Sequence, residues 1–214
     1  MPSPVRILIA DDHEIVREGV RAVLQRQAGW EVCGEATTGR EAVERAETLQ
    51  PQIVIMDVGM PELNGLDATR EIKRLVPKTE VLIFTANETE EVVRNVFKAG
   101  AKAYLLKSDV TRHLIPAVEA LVRHRTYFSS KVSEMIFAGY LKGDTAAEAS
   151  PLTPRERETV QLIAEGKTNK EVARIFGISI KTVETHRAAI MRKLELNSVA
   201  ELVRYAVRNG IVEP

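Results

Sequence analysis

The sequence predicts an α/β fold, a doubly wound five-stranded parallel sheet, followed by a second, smaller all-α domain. Two observations support the sheet: short apolar runs alternate five times with amphipathic segments, and these runs lack internal polar alternation. Strands that are covered on both faces have this uninterrupted apolar character. After about residue 150 the strand-like runs stop and only helical patterns remain.

The five predicted strands are the apolar runs of the first part of the chain. In chain order they are VRILIA (5–10), EVCGEA (31–36), QIVIM (52–56), EVLIFTA (80–86) and KAYLLK (102–107). The segments that follow them have apolar residues at the spacing of amphipathic helices. These segments are HEIVREGVRAVLQRQ, GREAVERAETL, GLDATREIKRLV, ETEEVVRNVFKAG and TRHLIPAVEALVRH.

A change of composition near residue 126 marks the end of the first domain. FSSKVSEMIFAGYLKG predicts a further helix capped by Ser129 or Ser130, and GDTAAEASP is typical of a loose linker. We therefore divide the chain into a first domain over residues 1–124, a linker with a helix over 125–149, and a helical domain over 150–214.

The last part of the chain predicts four helices. LTPRERETVQLIAEG begins with Thr153 as N-cap, Pro154 in the first position and Glu156 completing a capping box. The segments NKEVARIFG, ISIKTVETHRAAIMRKLE and SVAELVRYAVRNG follow. A helix, a short turn containing Gly177 and a second helix form the helix-turn-helix pattern.

The composition does not indicate a globally disordered, collagen-like or coiled-coil protein. A chain of 214 residues with 44% apolar and 28% charged residues is ordinary globular material, long enough for two domains. The run VRILIA is followed at once by Asp11 and Asp12, and no run is long enough to cross a membrane, so we expect a cytoplasmic protein without a membrane partner. Cys33, the single cysteine, lies in a strand-like run and is expected to be a small buried residue.

The formal net charge of zero hides a mild asymmetry. Residues 151–214 contain eleven Lys and Arg against eight Glu, which gives +3 and leaves −3 for residues 1–150. An excess of positive charge on the helical part is consistent with a nucleic-acid partner, although chance explains a difference of this size equally well.

Polar side chains stand at the ends of the predicted strands. Asp11 and Asp12 follow the first strand, Asp57 follows the third, Thr85 lies near the end of the fourth and Lys107 ends the fifth. Taken singly, such an Asp is well explained as a helix N-cap, and such a Thr or Lys as a solvated strand end. In an open parallel sheet, however, ligands bind beyond the carboxyl ends of the strands, where all five side chains would gather.

Three carboxylates at one place repel one another and raise each other's pKa unless a divalent cation lies among them. Hard oxygen ligands select Mg²⁺, which in proteins binds one or two carboxylates, retained waters and a phosphoryl oxygen. The sequence therefore predicts a site for magnesium and phosphate at this edge of the sheet.

The segments ADDH, IVIMD-x-x-MP-x-x-NG, FTA and AYLLK resemble the CheY-like receiver domain of two-component response regulators, over residues 5 to about 124. The resemblance implies that Asp57 accepts a phosphoryl group from a sensor histidine kinase. The implied Mg²⁺ ligands are Asp11, Asp12, Asp57 and the backbone carbonyl of Gly59, and the implied phosphoryl-binding and switch residues are Thr85, Tyr104 and Lys107. Ser108 departs from the proline that many receivers have after this lysine.

A receiver catalyses only its own phosphorylation and dephosphorylation, so we expect no other enzymatic activity. Two enzyme classes fail on particular positions. An aspartyl-phosphatase of the haloacid dehalogenase type places a second acid two residues after the nucleophile, where this chain has Gly59. A dinucleotide enzyme needs a glycine-rich turn after its first strand, where this chain has Asp11 and Asp12.

The helix ISIKTVETHRAAIMRKLE has two distinct sides when it is projected at helical spacing. Val183, Ile190 and Leu194 share the side predicted to face the core. The opposite side is predicted to enter the major groove of DNA, with a solvated face as the alternative. With one residue from the preceding helix, the predicted DNA-binding residues are Lys170, Lys181, Thr182, Glu184, Thr185, Ala188 and Arg192.

The last part of the chain resembles the LuxR-type DNA-binding domain over residues 150–212, with TPRE, NKEVA and KTVETHR as its most specific segments. Glu184 departs from the lysine of some relatives and favours accepting a hydrogen bond from cytosine. His186 is expected to pack rather than bind a metal. In this family the last helix pairs two domains, which implies dimerisation through Val199, Leu202, Val203 and Ala206; packing within one domain is the alternative.

Together the two parts resemble a response regulator of the NarL/FixJ type. The resemblance implies that phosphorylation of Asp57 changes the domain arrangement or dimerisation and so controls the binding of a homodimer to double-stranded DNA with two-fold symmetry. A constitutive regulator that binds DNA without phosphorylation, through a degenerate switch, remains the alternative.

Overall fold

The computed structural model describes residues 4–86, 89–129, 132–134 and 151–212. The chain divides into two compact units, the first containing a parallel sheet and the second the helices after residue 151. Most of the predicted helix FSSKVSEMIFAGYLKG and of the linker GDTAAEASP lies outside the described residues. Of the predicted helix, the described residues 132–134 are helical, and Ser129 Oγ accepts a hydrogen bond from Val132 N at 3.4 Å.

The sheet of the first unit has the strand order β2-β1-β3-β4-β5-β6, and every neighbouring pair is parallel. Its strands are β1 (Val5–Ala10), β2 (Trp30–Ala36), β3 (Ile53–Met56), β4 (Glu80–Thr85), β5 (Ala103–Leu106) and β6 (Tyr127–Phe128). The five predicted strands are confirmed. The sixth was not predicted: it has two residues, too few to produce a recognisable pattern.

Five helices cover the two faces of this sheet. They are α1 (Glu14–Leu24), α2 (Gly39–Leu49), α3 (Gly65–Leu75), α4 (Glu90–Ala99) and α5 (Val110–Val122), with a 3₁₀ turn at Lys107–Asp109 before the last of them. All residues of β3 and β4 are buried, as expected for central parallel strands. The strand order reverses direction at β1, so the carboxyl ends of β1 and β3 border the crevice where such sheets bind ligands.

The second unit contains four described helices, and polar caps determine where they begin. The helices are α6 (Pro154–Ala164), α7 (Asn169–Phe176), α8 (Ile180–Lys193) and α9 (Val199–Arg208). Thr153 with Glu156 forms the predicted capping box of α6, and Thr168 with Glu171 forms a second one at α7. Gly177, with a left-handed φ of 66°, ends α7 and allows the short turn into α8. The helix-turn-helix is therefore confirmed.

No helix among the described residues is both long and apolar enough to span a lipid bilayer. Cys33, the free thiol, is half-buried and its Sγ lies 3.4 Å from the carbonyl oxygen of Ile7. Burial raises the pKa of this thiol, with a smaller opposing effect of Arg6. A raised pKa disfavours the thiolate, which is the reactive form.

A charged cluster stabilises the amino-terminal end of β4. The buried Glu80 carboxylate contacts Lys102 Nζ at 2.6 Å, His124 Nδ1 at 3.1 Å and Lys73 Nζ at 3.3 Å. Burial by itself would raise the pKa of Glu80, but the hydrogen bonds from Lys102 and His124 and the charge of Lys73 lower it below its ordinary value. The ionised carboxylate therefore contributes to the stability of the sheet.

We expect Glu80→Gln to lower the free energy of unfolding of the first unit by about 1 to 3 kcal/mol at neutral pH, because it leaves partly buried cations without their partner. Since the folded pKa is depressed, the contribution of Glu80 is present above the unfolded pKa and is lost as the pH falls through the folded value. The difference between the two proteins should thus shrink below about pH 4. Denaturant unfolding followed by fluorescence of Trp30, the single tryptophan, measures it.

The matched control is Glu71→Gln. Glu71 lies on the exposed part of α3 and pairs with Arg74 at 3.8 Å, so its loss should change the unfolding free energy by less than about 0.5 kcal/mol. Equal effects of the two substitutions, or a Glu80 effect that does not depend on pH, would contradict the stabilising role of the cluster.

Candidate functional site

Two carboxylates meet at the carboxyl ends of neighbouring strands. Asp11 follows β1 and Asp57 follows β3, and Asp57 N donates a hydrogen bond to the Ala10 carbonyl at 2.9 Å. Asp11 is 2% exposed and Asp57 is 5% exposed, whereas Asp12 is more open to solvent. The β1–β3 pairing therefore places two buried acids side by side, as the sequence predicted.

Lys107 connects these acids from β5. Its Nζ lies 2.8 Å from Asp11 Oδ2 and 2.9 Å from Asp57 Oδ2, while Asp57 Oδ1 accepts a hydrogen bond from Val58 N at 2.8 Å. Burial raises the pKa of Asp57; the charge of Lys107 opposes this effect and the charge of Asp11 adds to it. Burial would lower the pKa of Lys107, but the two carboxylates raise it above its ordinary value, which favours the ammonium form.

The cluster is suited to a divalent cation. One ligand atom each from Asp11, Asp12, His13 and Asp57 lie within 4.8 Å of one another. Within the described part of the chain, buried Asp11 Oδ2 has no hydrogen bond of acceptable geometry beside its ion pair with Lys107. The two buried carboxylates of Asp11 and Asp57 against one ammonium leave negative charge in a buried place, and Mg²⁺ binding by oxygen ligands would neutralise it. Gly59 lies in the loop after β3, two residues beyond Asp57.

His13 was not predicted as part of this site. Its Nδ1 lies 2.8 Å from Asp12 Oδ1 and 3.2 Å from Asp11 Oδ1, and its backbone N donates to Asp11 Oδ1 at 2.9 Å. The residue is the N-cap of α1 and belongs to the quoted ADDH segment. The sequence prediction rests on carboxylates as metal ligands, so it does not include this histidine.

The Asn-Gly pair after Asp57 has a steric reason. A Cβ atom on Gly65 would lie 1.7 Å from the carbonyl oxygen of Asp57 and 2.7 Å from its carbonyl carbon. Gly65 N also donates to the Val58 carbonyl at 2.9 Å, which closes the loop between β3 and α3. Only glycine permits this approach, so the first residue of α3 helps to fix the backbone that presents Asp57.

The two remaining switch candidates are buried in adjacent strands. Thr85 ends β4 and Tyr104 lies in β5, and both are fully buried. Thr85 pairs with Leu106, the last residue of β5, and Lys107 follows Leu106 directly in the chain. Tyr104 pairs with Phe128 of the unpredicted strand β6, and the Phe128 ring lies 4.7 Å from that of Phe97 in α4.

Helix α8 has the two sides that the sequence predicted. Val183 and Ile190 are buried and Leu194 is half-buried, and His186 is half-buried as well. All the predicted DNA-binding positions are exposed: Lys170 in α7, and Lys181, Thr182, Glu184, Thr185, Ala188 and Arg192 in α8. The second unit therefore presents a continuous exposed stripe on α8.

The predicted dimer face on α9 needs a correction. Leu202 and Ala206 are 0% exposed and belong to the core of their own domain, together with Val160 and Ile190. For these two residues packing within the domain, the alternative considered from the sequence, is what the structure shows. Val203 is half-buried and Val199 is 40% exposed. The apolar stripe of α9 reflects the core, and only its edge reaches the surface.

Comparison with known proteins agrees with both units. The family model described as "Response regulator receiver domain" matches residues 7–119, and the model described as "Bacterial regulatory proteins, luxR family" matches residues 150–206. The transcriptional regulatory protein MctR of Rhizobium johnstonii is 37% identical over 97% of this chain and 95% of its own length. LiaR of Bacillus subtilis is 37% identical over 97% of this chain and 99% of its own length.

A solved structure of RcsB from Salmonella enterica serovar Typhimurium, bound to promoter P1flhDC in the presence of the phosphomimetic BeF3⁻, is also similar. It has a TM-score of 0.63 and 26% identity, and it covers 98% of this chain and 100% of that chain. A receiver sheet and a LuxR-type helix-turn-helix in one chain define the response-regulator transcription factors of two-component systems. The chain belongs to this family, in its NarL/FixJ type.

We expect Gly65→Ala to lower the free energy of unfolding of the first unit by at least about 2 kcal/mol, because the added methyl group must displace the Asp57 backbone. Gly19→Ala in α1 is the control, since nothing lies within 4 Å of its Cβ position, and it should be neutral or slightly stabilising. Trp30 fluorescence in denaturant measures both. If Gly65→Ala is as stable as Gly19→Ala, the close approach does not constrain the site.

Proposed function

We propose that this protein is a phosphorylation-controlled transcriptional regulator, in which Asp57 accepts a phosphoryl group from a sensor histidine kinase. The observation that supports this role best is the buried group formed by Asp11, Lys107 and Asp57. Two buried carboxylates bridged by one lysine contribute little to stability, because the cost of removing these charges from water offsets their attraction. The arrangement is well suited to receive a group that carries more negative charge and a cation to balance it.

The chemistry is a simple displacement. A carboxylate oxygen of Asp57 attacks the phosphorus atom of the donor's phosphohistidine, an oxygen–phosphorus bond forms, and the phosphorus–nitrogen bond breaks with its electron pair left on the imidazole. Lys107 stabilises the charge on the phosphoryl oxygens. Asp11, Asp12, Asp57 and the Gly59 carbonyl would hold Mg²⁺, which when bound neutralises phosphoryl charge.

The response to phosphorylation is proposed to pass through Thr85 and Tyr104. A phosphoryl group on Asp57 would attract the Thr85 hydroxyl, and a movement of Thr85 would change the space available to Tyr104 on the next strand. Tyr104 is fully buried in the structure, so a movement of Thr85 would act on a packed side chain. The change at β4 and β5 is proposed to alter dimerisation and DNA binding.

The second unit is proposed to read DNA with α8 in the major groove, while Lys170 at the start of α7 contacts phosphate. RcsB, a relative of the same architecture, was solved on a promoter. A homodimer in the cytoplasm would bind two half-sites related by two-fold symmetry, about one helical turn apart. The accessible dimer residues of α9 would be Val199 and Val203, because Leu202 and Ala206 are occupied in the core.

We expect acetyl phosphate with Mg²⁺ to label the wild-type protein and not Asp57→Asn, because the substitution replaces the proposed acceptor carboxylate by an amide. Asp12→Asn should weaken Mg²⁺ binding about tenfold or more, measured by calorimetry without a phosphodonor. Asp67→Asn is the control, since Asp67 pairs with Arg70 on α3 and is not one of the proposed Mg²⁺ ligands. Full labelling of Asp57→Asn would show that Asp57 is not the phosphoryl acceptor. Equal DNA affinity with and without label would favour the constitutive regulator.

Lys181→Ala and Val183→Ala should have opposite effects. The Lys181 side chain is 87% exposed, so its loss should leave the melting temperature unchanged and weaken DNA binding; a phosphate contact would also reduce the salt dependence by about one ion. Val183 is buried, and its truncation should destabilise the second unit by about 1 to 3 kcal/mol. Calorimetric unfolding and DNA titrations at several salt concentrations measure both. Normal DNA binding by Lys181→Ala would mean that this stripe is only a solvated face.

A further inference from the structure

The hydroxyl groups at the start of α8 are already used within the helix. Ser179, the N-cap, accepts a hydrogen bond from Thr182 N at 3.1 Å, and its Oγ lies 2.8 Å from Thr182 Oγ1. One turn further on, Thr185 Oγ1 donates to the Lys181 carbonyl at 3.0 Å. Such bonds to the preceding turn are common for threonine in helices. The donor capacity of Thr185 is therefore occupied by the backbone.

The charged groups of the same surface are also partly matched. Lys181 Nζ lies 3.7 Å from Glu184 Oε2, and both side chains are exposed. The carboxylate of Glu184 therefore offsets part of the positive charge of Lys181 near the amino-terminal end of α8. Glu184 can still accept a hydrogen bond from a base edge, but neither residue offers the free bidentate donor pair that reads guanine.

What remains at the centre of the stripe is apolar. With its hydroxyl directed to the backbone, Thr185 presents its γ-methyl group, and Ala188 presents a methyl group three residues later. Residues at this spacing are neighbours on a helix surface, and both are exposed. Exposed methyl groups in the middle of a DNA-reading surface match one feature of the major groove, the 5-methyl group of thymine.

We infer that Thr185 and Ala188 form a specificity-determining contact with the 5-methyl group of a thymine in each half-site. The inference rests on the proposed role of α8 as the reading helix and adds the base chemistry to it. Thr185 acts through its methyl group and not through its hydroxyl, so the operator is expected to contain a thymine whose methyl group, rather than its hydrogen-bonding edge, is recognised.

The test compares two near-isosteric substitutions on defined DNA. The probe is a duplex selected from a randomised library by the full-length wild-type protein in the presence of beryllofluoride, and each thymine in it is replaced in turn by uracil, which lacks only the methyl group. For the wild type we expect one replacement per half-site to weaken binding about fourfold, the loss expected for one buried methyl group.

Thr185→Val keeps a methyl group and removes the hydroxyl, so it should retain wild-type affinity and the same preference for thymine over uracil. Thr185→Ser keeps the hydroxyl and removes the methyl group, so it should bind the thymine duplex up to about fourfold more weakly and distinguish uracil less well than the wild type, because only the Ala188 methyl contact remains. Position 185 is exposed, and both variants should melt at the wild-type temperature. If a variant melts below the wild-type temperature, its DNA affinity is not used. The uracil replacements tested with the wild-type protein then decide whether a thymine methyl group is recognised.

Two other outcomes separate the inference from the proposed function. If Lys181→Ala weakens binding while no uracil replacement has an effect, α8 reads DNA but the methyl contact is wrong. The same holds if Thr185→Ser behaves like the wild type and Thr185→Val loses affinity, since the hydroxyl oxygen would then be the reading group. If Lys181→Ala and both Thr185 variants all bind as the wild type does, α8 is not the reading helix and both proposals fail.

Discussion

The first unit depends on the ammonium group of Lys107, which lies within 3 Å of a carboxylate oxygen on both Asp11 and Asp57. Two buried carboxylates would otherwise destabilise the ends of β1 and β3, because burying unpaired charge is costly. The lysine balances only part of this negative charge, so the arrangement stays receptive to a cation. The same ammonium group links the end of β5 to the ends of β1 and β3. A change of charge at Asp57 would therefore alter the electrostatic interaction that Lys107 makes at the end of β5.

Backbone geometry limits how the site can vary. Asp57 leaves a strand that is buried throughout, and the chain must turn at once to begin α3. The turn brings Gly65 so near the Asp57 carbonyl that no side chain fits there. The close approach constrains the Asp57 backbone, while Lys107 and the backbone N of Val58 hold its carboxylate. Pre-organised positioning of this kind would favour the proposed phosphorylation of Asp57.

Sequence reasoning succeeded where one physical effect dominated. The strands β1, β3, β4 and β5 are apolar runs that end in or are followed by polar residues, and that pattern brought Asp11, Asp57 and Lys107 together and placed Thr85 at the end of β4. It failed where the pattern was too short or had two explanations. Strand β6 has two residues, and its pairing beside Tyr104 depends on tertiary contacts. The stripe of α9 fits a dimer face and a core face equally well, and only the packing of Leu202 and Ala206 decides between them.

The weak charge of the helical part has a consequence for how DNA is bound. An excess of three positive charges over residues 151–214, reduced further by the pairing of Lys181 with Glu184, gives one domain little non-specific attraction to phosphate. Two domains held together bind with a high effective concentration for the second half-site. When each domain alone binds DNA weakly, a small change in the dimerisation equilibrium would therefore change the occupancy of the DNA site strongly. Under the proposed function, low charge on the helical domain would make DNA binding responsive to phosphorylation of Asp57.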